Sequence, residues 1–190
     1  MNVRAATTAD VPALERLIVT SVRGLSAGFY TPAQVDAALA GVFGVDTQLV
    51  ADGTYYVIDG PTFPVAAGGW SGRRTLYGGD RLKGGDDPRV DPRTEAARLR
   101  AFFVHPDWSR RGLARRLYDE CARAALAAGF RRFELMATLP GEPLYLALGF
   151  SVVERVVLTV AGVEVPFARM ARDIGPSAAE DDAPSRVPTG

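Results

Sequence analysis

The stretch from Phe102 to Arg115 (FFVHPDWSRRGLAR) contains residue types that could hold a phosphate group. Its first residues are typical of the end of a strand, His105-Pro106-Asp107 ends that strand, and a glycine among arginines then begins a helix. Amide groups in the first turn of a helix have no acceptor within the helix and carry the positive end of its dipole, so they bind phosphate. Gly112 and Ala114 let a pyrophosphate approach the backbone, and the arginines add charge-assisted contacts. An ordinary helix start with a solvated basic face is the alternative interpretation.

A second segment, Ala137 to Phe150 (ATLPGEPLYLALGF), places a tyrosine on a short predicted helix. Tyr145 lies four residues before Gly149, which ends the helix. A phenol with an ordinary pKa near ~10 keeps its proton at neutral pH, so Tyr145 can act as a proton donor. Taken alone, the same residue is more typical of a half-buried packing position.

Together, the two segments resemble the GCN5-related N-acetyltransferase (GNAT) family. Arg110–Arg115 resembles motif A, written Gln/Arg-x-x-Gly-x-Gly/Ala, and Tyr145–Phe150 resembles motif B, often seen as F-Y-x-x-L-G-F. Ser109 stands where the family prefers Gln or Arg, although a serine can cap the helix. Leu139-Pro140-Gly141 stands where many members carry an asparagine. The resemblance covers about Arg98 to Phe150.

The resemblance implies that the chain binds acetyl-CoA as cosubstrate and needs no metal. In the family, the strand before motif A splays from its parallel neighbour, and the pantetheine arm enters the gap. The amine attacks the thioester directly in a ternary complex, a backbone N–H near Val104 polarises the carbonyl, and Tyr145 protonates the leaving thiolate. The resemblance assigns cofactor contacts to Phe102, Phe103 and Val104 on the strand and to Arg110, Arg111, Gly112, Leu113, Ala114 and Arg115 at the pyrophosphate.

A base or a water chain must take the proton of the acceptor amine, because a primary amine is mostly protonated at pH 7. Glu134 is the first candidate, since some members of the family carry an acid at about this point. Strand alternation puts it on one face with Met136 and Thr138. A solvent-facing carboxylate is an equally weighted interpretation, and His105 and Glu142 are weaker candidates.

The resemblance places the acceptor site at the first two helices and the loop between them, where Phe29 and Tyr30 lie. Trp70 and the loop after it form a second candidate wall, with arginines that could attract an acidic acceptor. A solvated, flexible loop over 71–95 is the favoured alternative. The residues of interest in that loop are Arg73, Arg74, Tyr77 and Arg81.

The pattern of apolar residues, caps and turns predicts the element order β-α-α-β-β-β-α-β-α-β-β. The predicted fold is α/β (α+β mixed sheet) and GNAT-like: a central mixed, mostly antiparallel sheet with a splayed parallel strand pair and helices on both faces. One domain is expected over 1–172, followed by a disordered tail over 173–190. The predicted strands are Asn2–Ala6, Thr54–Asp59, Thr62–Trp70, Ala96–Val104, Arg132–Thr138, Ser151–Val160 and Val163–Met170. Four helices are predicted. The first begins at Thr7 or Thr8, the second begins at Thr31-Pro32, and the other two span Arg110–Ala128 and Pro143–Gly149.

The composition narrows the function classes. The chain has 190 residues, 47 % of them hydrophobic, and a formal net charge of zero. Such a balance argues against a nucleic-acid-binding face, which needs clustered basic charge. One cysteine and one histidine argue against a disulfide or a zinc site. No apolar run approaches ~20 residues and the start lacks a signal-peptide pattern, so a cytoplasmic protein without membrane contact is expected.

The sequence therefore predicts an N-acetyltransferase that moves the acetyl group of acetyl-CoA to a primary amine. Two alternatives stay open: a non-catalytic sensor that binds acyl-CoA, and an acyltransferase that uses a longer acyl-CoA. The acceptor is left open between small amines, amino acids, antibiotics and protein amines. Members of the family are often dimers, so a homodimer is among the expected states.

Overall fold

The computed structural model describes residues 2–82 and 87–175. The described residues form seven strands and five α-helices, with short 3-10 turns at Thr8–Asp10, Asp80–Leu82 and Pro106–Trp108. The strands are β1 Val3–Ala5, β2 Tyr55–Asp59, β3 Pro64–Ser71, β4 Ala97–Val104, β5 Arg132–Thr138, β6 Ser151–Val160 and β7 Val163–Asp173. The helices are α1 Val11–Leu25, α2 Pro32–Gly41, α3 Thr47–Ala51, α4 Leu113–Ala127 and α5 Glu142–Ala147.

The seven strands form one sheet in the order β1-β2-β3-β4-β5-β7-β6. The pair β4–β5 is parallel, and the other neighbouring pairs are antiparallel. The chain crosses from β4 to β5 through α4, since a parallel pair needs a crossover connection. The predicted mixed, mostly antiparallel sheet is confirmed.

Helices cover both faces of this sheet, as predicted. On one face, α1, α2 and α3 bury an apolar cluster that includes Leu14 and Ile18, spaced one helical turn apart. On the other face, α4 buries Leu117 and Cys121 with the same spacing. Each cluster packs on one side of the central strands, so the sheet separates two cores.

The predicted element order is confirmed apart from one added helix, α3. Its five residues are too few to show a helical period, but Asp46 caps it by accepting a hydrogen bond from the Gln48 amide at 3.1 Å. Helix α4 begins at Leu113 rather than Arg110, because Arg110 and Gly112 adopt positive φ angles of 60° and 76°. Strand β7 extends to Asp173, and residues 176–190 of the predicted tail lie outside the described residues.

An irregular stretch in the middle of β4 shapes the sheet near its centre. Ala67 pairs with Phe103 and Gly69 with Arg100, so one residue of β3 lies opposite two residues of β4. This β-bulge places Ala101 at a φ of 56°, where an L side chain is strained by about 1–2 kcal/mol. The buried Tyr55 hydroxyl donates to the Ala101 carbonyl at 3.2 Å and holds the bulge in place.

Candidate functional site

Strands β4 and β5 separate soon after they begin. Their parallel ladder contains only the pairs Ala97–Phe133 and Arg98–Glu134. Beyond Arg98 the two strands diverge, which opens a cleft of about 840 Å³ bounded by β4, β5 and the helices on both faces. The backbone of β4 past this point lacks a ladder partner on β5, which leaves room for an extended ligand between the strands.

One end of the cleft is the start of α4. The amides of Leu113, Ala114 and Arg115 have no acceptor within the described residues, as expected for a first helical turn. A Cβ built on Gly112 would meet no atom within 4 Å, so the backbone here is open to a ligand. Ser109 ends the preceding 3-10 turn, and Gly112 takes the N-cap position that the sequence suggested for Ser109.

The arginines of this segment point in different directions. Arg110 and Arg115 line the cleft. Arg111 does not line it: its guanidinium lies 4.7 Å from the centre of the Trp108 ring and donates to the Asp107 carbonyl at 2.9 Å. The groups that this turn can offer to an anion are therefore the free amides and the Arg110 and Arg115 cations.

Tyr145 forms part of the cleft wall on the α5 side. Its ring packs edge-on against Phe102 and Phe150, with ring centroids 6.4 Å and 5.7 Å away. Burial raises the pKa of Tyr145 above that of an ordinary phenol, so the hydroxyl keeps its proton at neutral pH. The phenol is thus a neutral donor held in a rigid aromatic setting.

The β4 residues predicted to face the cofactor all line the cleft: Phe102, Phe103 and Val104. The Phe102 ring lies directly over Gly68, where a Cβ would approach it to 2.8 Å, so glycine is needed beneath it. The Val104 amide donates to the Ser21 hydroxyl of α1 at 3.2 Å. A carbonyl bound at this amide would therefore share or replace the contact with Ser21.

Glu134 lies outside the cleft, although Met136 and Thr138 on the same strand face line it. Glu134 is at the closed end, opposite Arg98, before the strands separate. Its carboxylate accepts from Arg98 at 3.1 Å and lies 3.6 Å from Arg169. These ion pairs orient it away from an incoming amine, so the structure does not bring the first candidate base to the site.

The two weaker candidate bases also lie outside the cleft. His105 accepts a hydrogen bond from the Asp107 amide at 3.3 Å and caps the 3-10 turn. Glu142 is paired with Arg155 at 2.8 Å, which holds the pKa of its carboxyl below the usual value. Among the described residues, no Asp, Glu or His side chain lines the cleft.

The three predicted acceptor residues have different surroundings. Phe29 lines the cleft and is 49 % exposed. Tyr30 is buried beside it, where its hydroxyl donates to the Pro166 carbonyl at 2.7 Å and accepts from the Leu139 amide at 3.0 Å. Trp70 lies in the core against Phe130 and does not line the cleft, because both faces of β3 are covered.

Several cleft residues on the helical side, Phe43 among them, were not predicted from the sequence. Phe43 follows α2 and packs edge-on against Phe103, with ring centroids 6.0 Å apart. Tyr77, which the sequence analysis named in the second candidate wall, does line the cleft, whereas Arg73 of the same loop pairs with Asp52 at 2.7 Å and connects the loop to the end of α3. The apolar run around Phe43 was a usable signal for burial, but it does not reveal the cleft.

Comparison with known families agrees with this geometry. Residues 70–152 match the sequence model of a family described as "Acetyltransferase (GNAT) domain". This stretch of the chain is therefore similar to a GNAT acetyltransferase domain. The matched residues contain β4, α4, β5 and α5, the elements that form the open cleft. No curated protein sequence matches the chain significantly.

Solved structures extend the GNAT fold over most of the chain. A GCN5-related N-acetyltransferase from Rhodopseudomonas palustris is 19 % identical with a TM-score of 0.66, over 90 % of this chain and 94 % of that chain. The protein yncA from Salmonella typhimurium, solved with its cofactor acetyl-CoA, is 18 % identical with a TM-score of 0.61, over 96 % and 98 %. PaiA N-acetyltransferase from Thermoplasma acidophilum, solved with coenzyme A, is 10 % identical with a TM-score of 0.60, over 90 % and 98 %.

In residues 2–82 and 87–175, no helix is both long and apolar enough to cross a bilayer. In the same ranges, no group of three or more His, Cys, Asp or Glu side chains is placed to hold a metal ion.

Proposed function

We propose that this protein transfers the acetyl group of acetyl-CoA to a primary amine. The observation that carries the proposal is the separation of β4 from β5 beyond Arg98 and Glu134, which opens a cleft with free helix amides at one end and a protonated phenol in its wall. The open cleft fits an extended thioester cosubstrate, and the free helix amides at its end fit a diphosphate group on that cosubstrate. The GNAT family match and the cofactors of the structural neighbours support the same ligand.

The chain's own residues fit the diphosphate of coenzyme A. The amides of Leu113, Ala114 and Arg115 present three donors in one turn, and the open backbone at Gly112 allows close approach. Arg110 and Arg115 add positive charge at the same end of the cleft. The pantetheine arm then runs along Phe102–Val104, where the side of β4 toward β5 has no ladder partner and the backbone can bond to the amides of the arm.

The proposed reaction is direct attack of a neutral amine on the thioester carbon. The nitrogen–carbon bond forms as the carbon–sulfur bond breaks, and the sulfur leaves as a thiolate. Tyr145 donates its proton to that sulfur and regains one from water before the next turnover, while the amide of Val104 stabilises the carbonyl oxygen. The proton of the acceptor amine passes to water, since none of the three candidate bases lines the cleft.

The test compares Tyr145→Phe with the unchanged protein. Tyr145→Phe keeps the ring that packs on Phe102 and Phe150, so the affinity for acetyl-CoA measured by calorimetry should stay within about twofold. The rate of CoA thiol release with an amine acceptor should fall about 10²-fold or more, the usual contribution of a positioned acid. Tyr118→Phe is the matched control, because Tyr118 packs on the same Phe150 ring but is buried outside the cleft.

The outcomes separate three possibilities. Lost turnover with retained binding supports the transferase and the role of Tyr145. Binding of acetyl-CoA without turnover of any amine supports a sensor of acyl-CoA. Absence of acetyl-CoA binding refutes the proposal and leaves only the fold, which does not by itself establish function.

A further inference from the structure

The half of the cleft that lies under α1 and α2 has a distinct chemical character. Most of its walls are aliphatic and aromatic side chains from α1, from the segments just before and just after α2, from the loop after β3 and from the sheet. Phe43 forms a corner with Phe103 and Phe167, whose ring centroids lie 6.0 Å and 6.3 Å from its own. The other apolar members are Val22, Leu25, Phe29, Val42, Leu76 and Met136.

The charges that line the cleft are all positive. Arg110 and Arg115 lie at the diphosphate end, and Arg100 lies deeper, only 4 % exposed. Arg100 is paired with the buried Asp46 at 2.8 Å and donates to the Gly78 carbonyl, so Asp46 is held beneath it rather than in the cleft. Within residues 2–82 and 87–175, no carboxylate lines the cleft to receive a second ammonium group.

From this lining we infer that the acceptor is an apolar monoamine: a compound with an aliphatic or aromatic body, a weakly basic amino group and no second positive charge. The inference rests on the proposed acetyl transfer. Burying an apolar body against these side chains stabilises binding by about 25 cal/mol per Å². A second ammonium would leave water for a site with no anionic partner, which is strongly unfavourable.

The acceptor is expected to be a weakly basic amine, because the described lining of the cleft contains no carboxylate or histidine that could remove a proton from it. Without a base in the cleft, only the fraction of amine that is already neutral can react. At pH 7 an α-amino group with a pKa of about 8 is roughly 10 % neutral, whereas a lysine ε-amine with a pKa of about 10.4 is only ~0.04 % neutral. Amines of the first type therefore begin with an advantage of about 200-fold.

The experiment measures kcat/KM for CoA release at saturating acetyl-CoA with four probes. Phenylalaninamide has the predicted features, glycinamide lacks the apolar body, Nα-acetyl-lysinamide offers a strongly basic ε-amine, and spermidine carries extra positive charge. Phenylalaninamide should exceed glycinamide about tenfold or more and the other two about 100-fold or more. Equal or better turnover of spermidine or glycinamide overturns the inference while leaving acetyl transfer intact. No turnover of any probe, with acetyl-CoA bound in calorimetry, overturns both.

A charge placed in the wall gives a second, independent test. Phe29→Glu puts a carboxylate in the cleft, and Phe63→Glu puts one at a similarly exposed phenylalanine outside it, since these rings are 49 % and 45 % exposed. Phe29→Glu should raise the KM for phenylalaninamide about tenfold and improve kcat/KM for spermidine. Phe63→Glu should change neither, and thermal melts establish that both variants are folded. Unchanged selectivity in a folded Phe29→Glu protein contradicts the assignment of this half of the cleft to the acceptor.

Discussion

Gly112, at the start of α4, offers a direct test of the anion site. It has a φ of 76°, and a side chain there would project into open space beside the free amides. Gly112→Asp places a carboxylate where the diphosphate of acetyl-CoA is proposed to bind. Gly112→Asn places a neutral group of the same shape there, and both residues tolerate this backbone conformation better than other side chains do.

Coulomb's law gives the expected loss of acetyl-CoA affinity in the Gly112→Asp variant. Gly112 is exposed, so a dielectric constant near that of water applies. Two unit charges ~6 Å apart then repel by about 0.7 kcal/mol, and the two charges of a diphosphate by about 1.4 kcal/mol. This energy corresponds to about tenfold weaker binding, and the effect should be larger at low salt because screening is weaker.

The assay is calorimetric titration with acetyl-CoA at ~20 mM and ~200 mM ionic strength. Gly112→Asp should bind about tenfold or more weakly than Gly112→Asn, with the gap narrowing at high salt. Both variants should lose similar thermal stability, since both carry the same strain at a positive φ. If the two variants bind acetyl-CoA equally well at low salt, no diphosphate lies beside Gly112 and the reasoning is wrong.

Three further perturbations test the chemistry and the frame of the site. Burial raises the pKa of Tyr145, so the donor stays protonated and kcat, followed by CoA release, should not decline up to pH ~10; a descending limb near pH 8 would contradict this. Asp52→Asn should lower the free energy of unfolding in urea by about 1.5–3 kcal/mol at pH 7, because Asp52 accepts two hydrogen bonds from Arg73. Arg73 holds the pKa of Asp52 below its usual value, so the difference in unfolding free energy between the unchanged protein and Asp52→Asn should be largest above pH ~4. It should shrink as the pH falls through the pKa of Asp52 in the folded state. Equal differences at pH 7 and pH 2 would count against the ion pair. Asp46→Asn should lower the free energy of unfolding, measured by thermal denaturation, by about 3–5 kcal/mol, because Arg100 is left buried without its counter-charge. The double variant Asp46→Asn, Arg100→Met should recover part of this stability. A loss below ~1 kcal/mol for Asp46→Asn alone would contradict the prediction.

Local chemistry explains what could be predicted from the sequence. The glycine and arginines before α4 and the tyrosine before Gly149 work through a single turn or a short helix, so neighbouring residues in the chain specify them. Amphipathic spacing likewise predicted the long helices α1 and α4. These features need no knowledge of which strands are neighbours.

Pairing between distant strands explains what could not be predicted. Glu134 shares a strand face with Met136 and Thr138, but whether it enters the cleft depends on where β4 and β5 part, which is a property of two strands separated by a helix. Trp70 looked like a wall residue because its strand is followed by a polar loop, whereas the helices on both sides of β3 bury it. The bulge at Ala101 depends on register with β3 and leaves no mark in the local sequence.

The short β4–β5 ladder also has a mechanical consequence. Strands β1 to β4 form one group of antiparallel neighbours and β5, β7 and β6 form another, and the two groups are paired through the short ladder at Ala97 and Arg98. The ion pair of Glu134 with Arg98 links these two groups of strands, whereas the ion pair of Glu134 with Arg169 lies within the second group. The Arg98–Glu134 ion pair therefore strengthens the short ladder that holds the two groups of strands together at the closed end of the cleft.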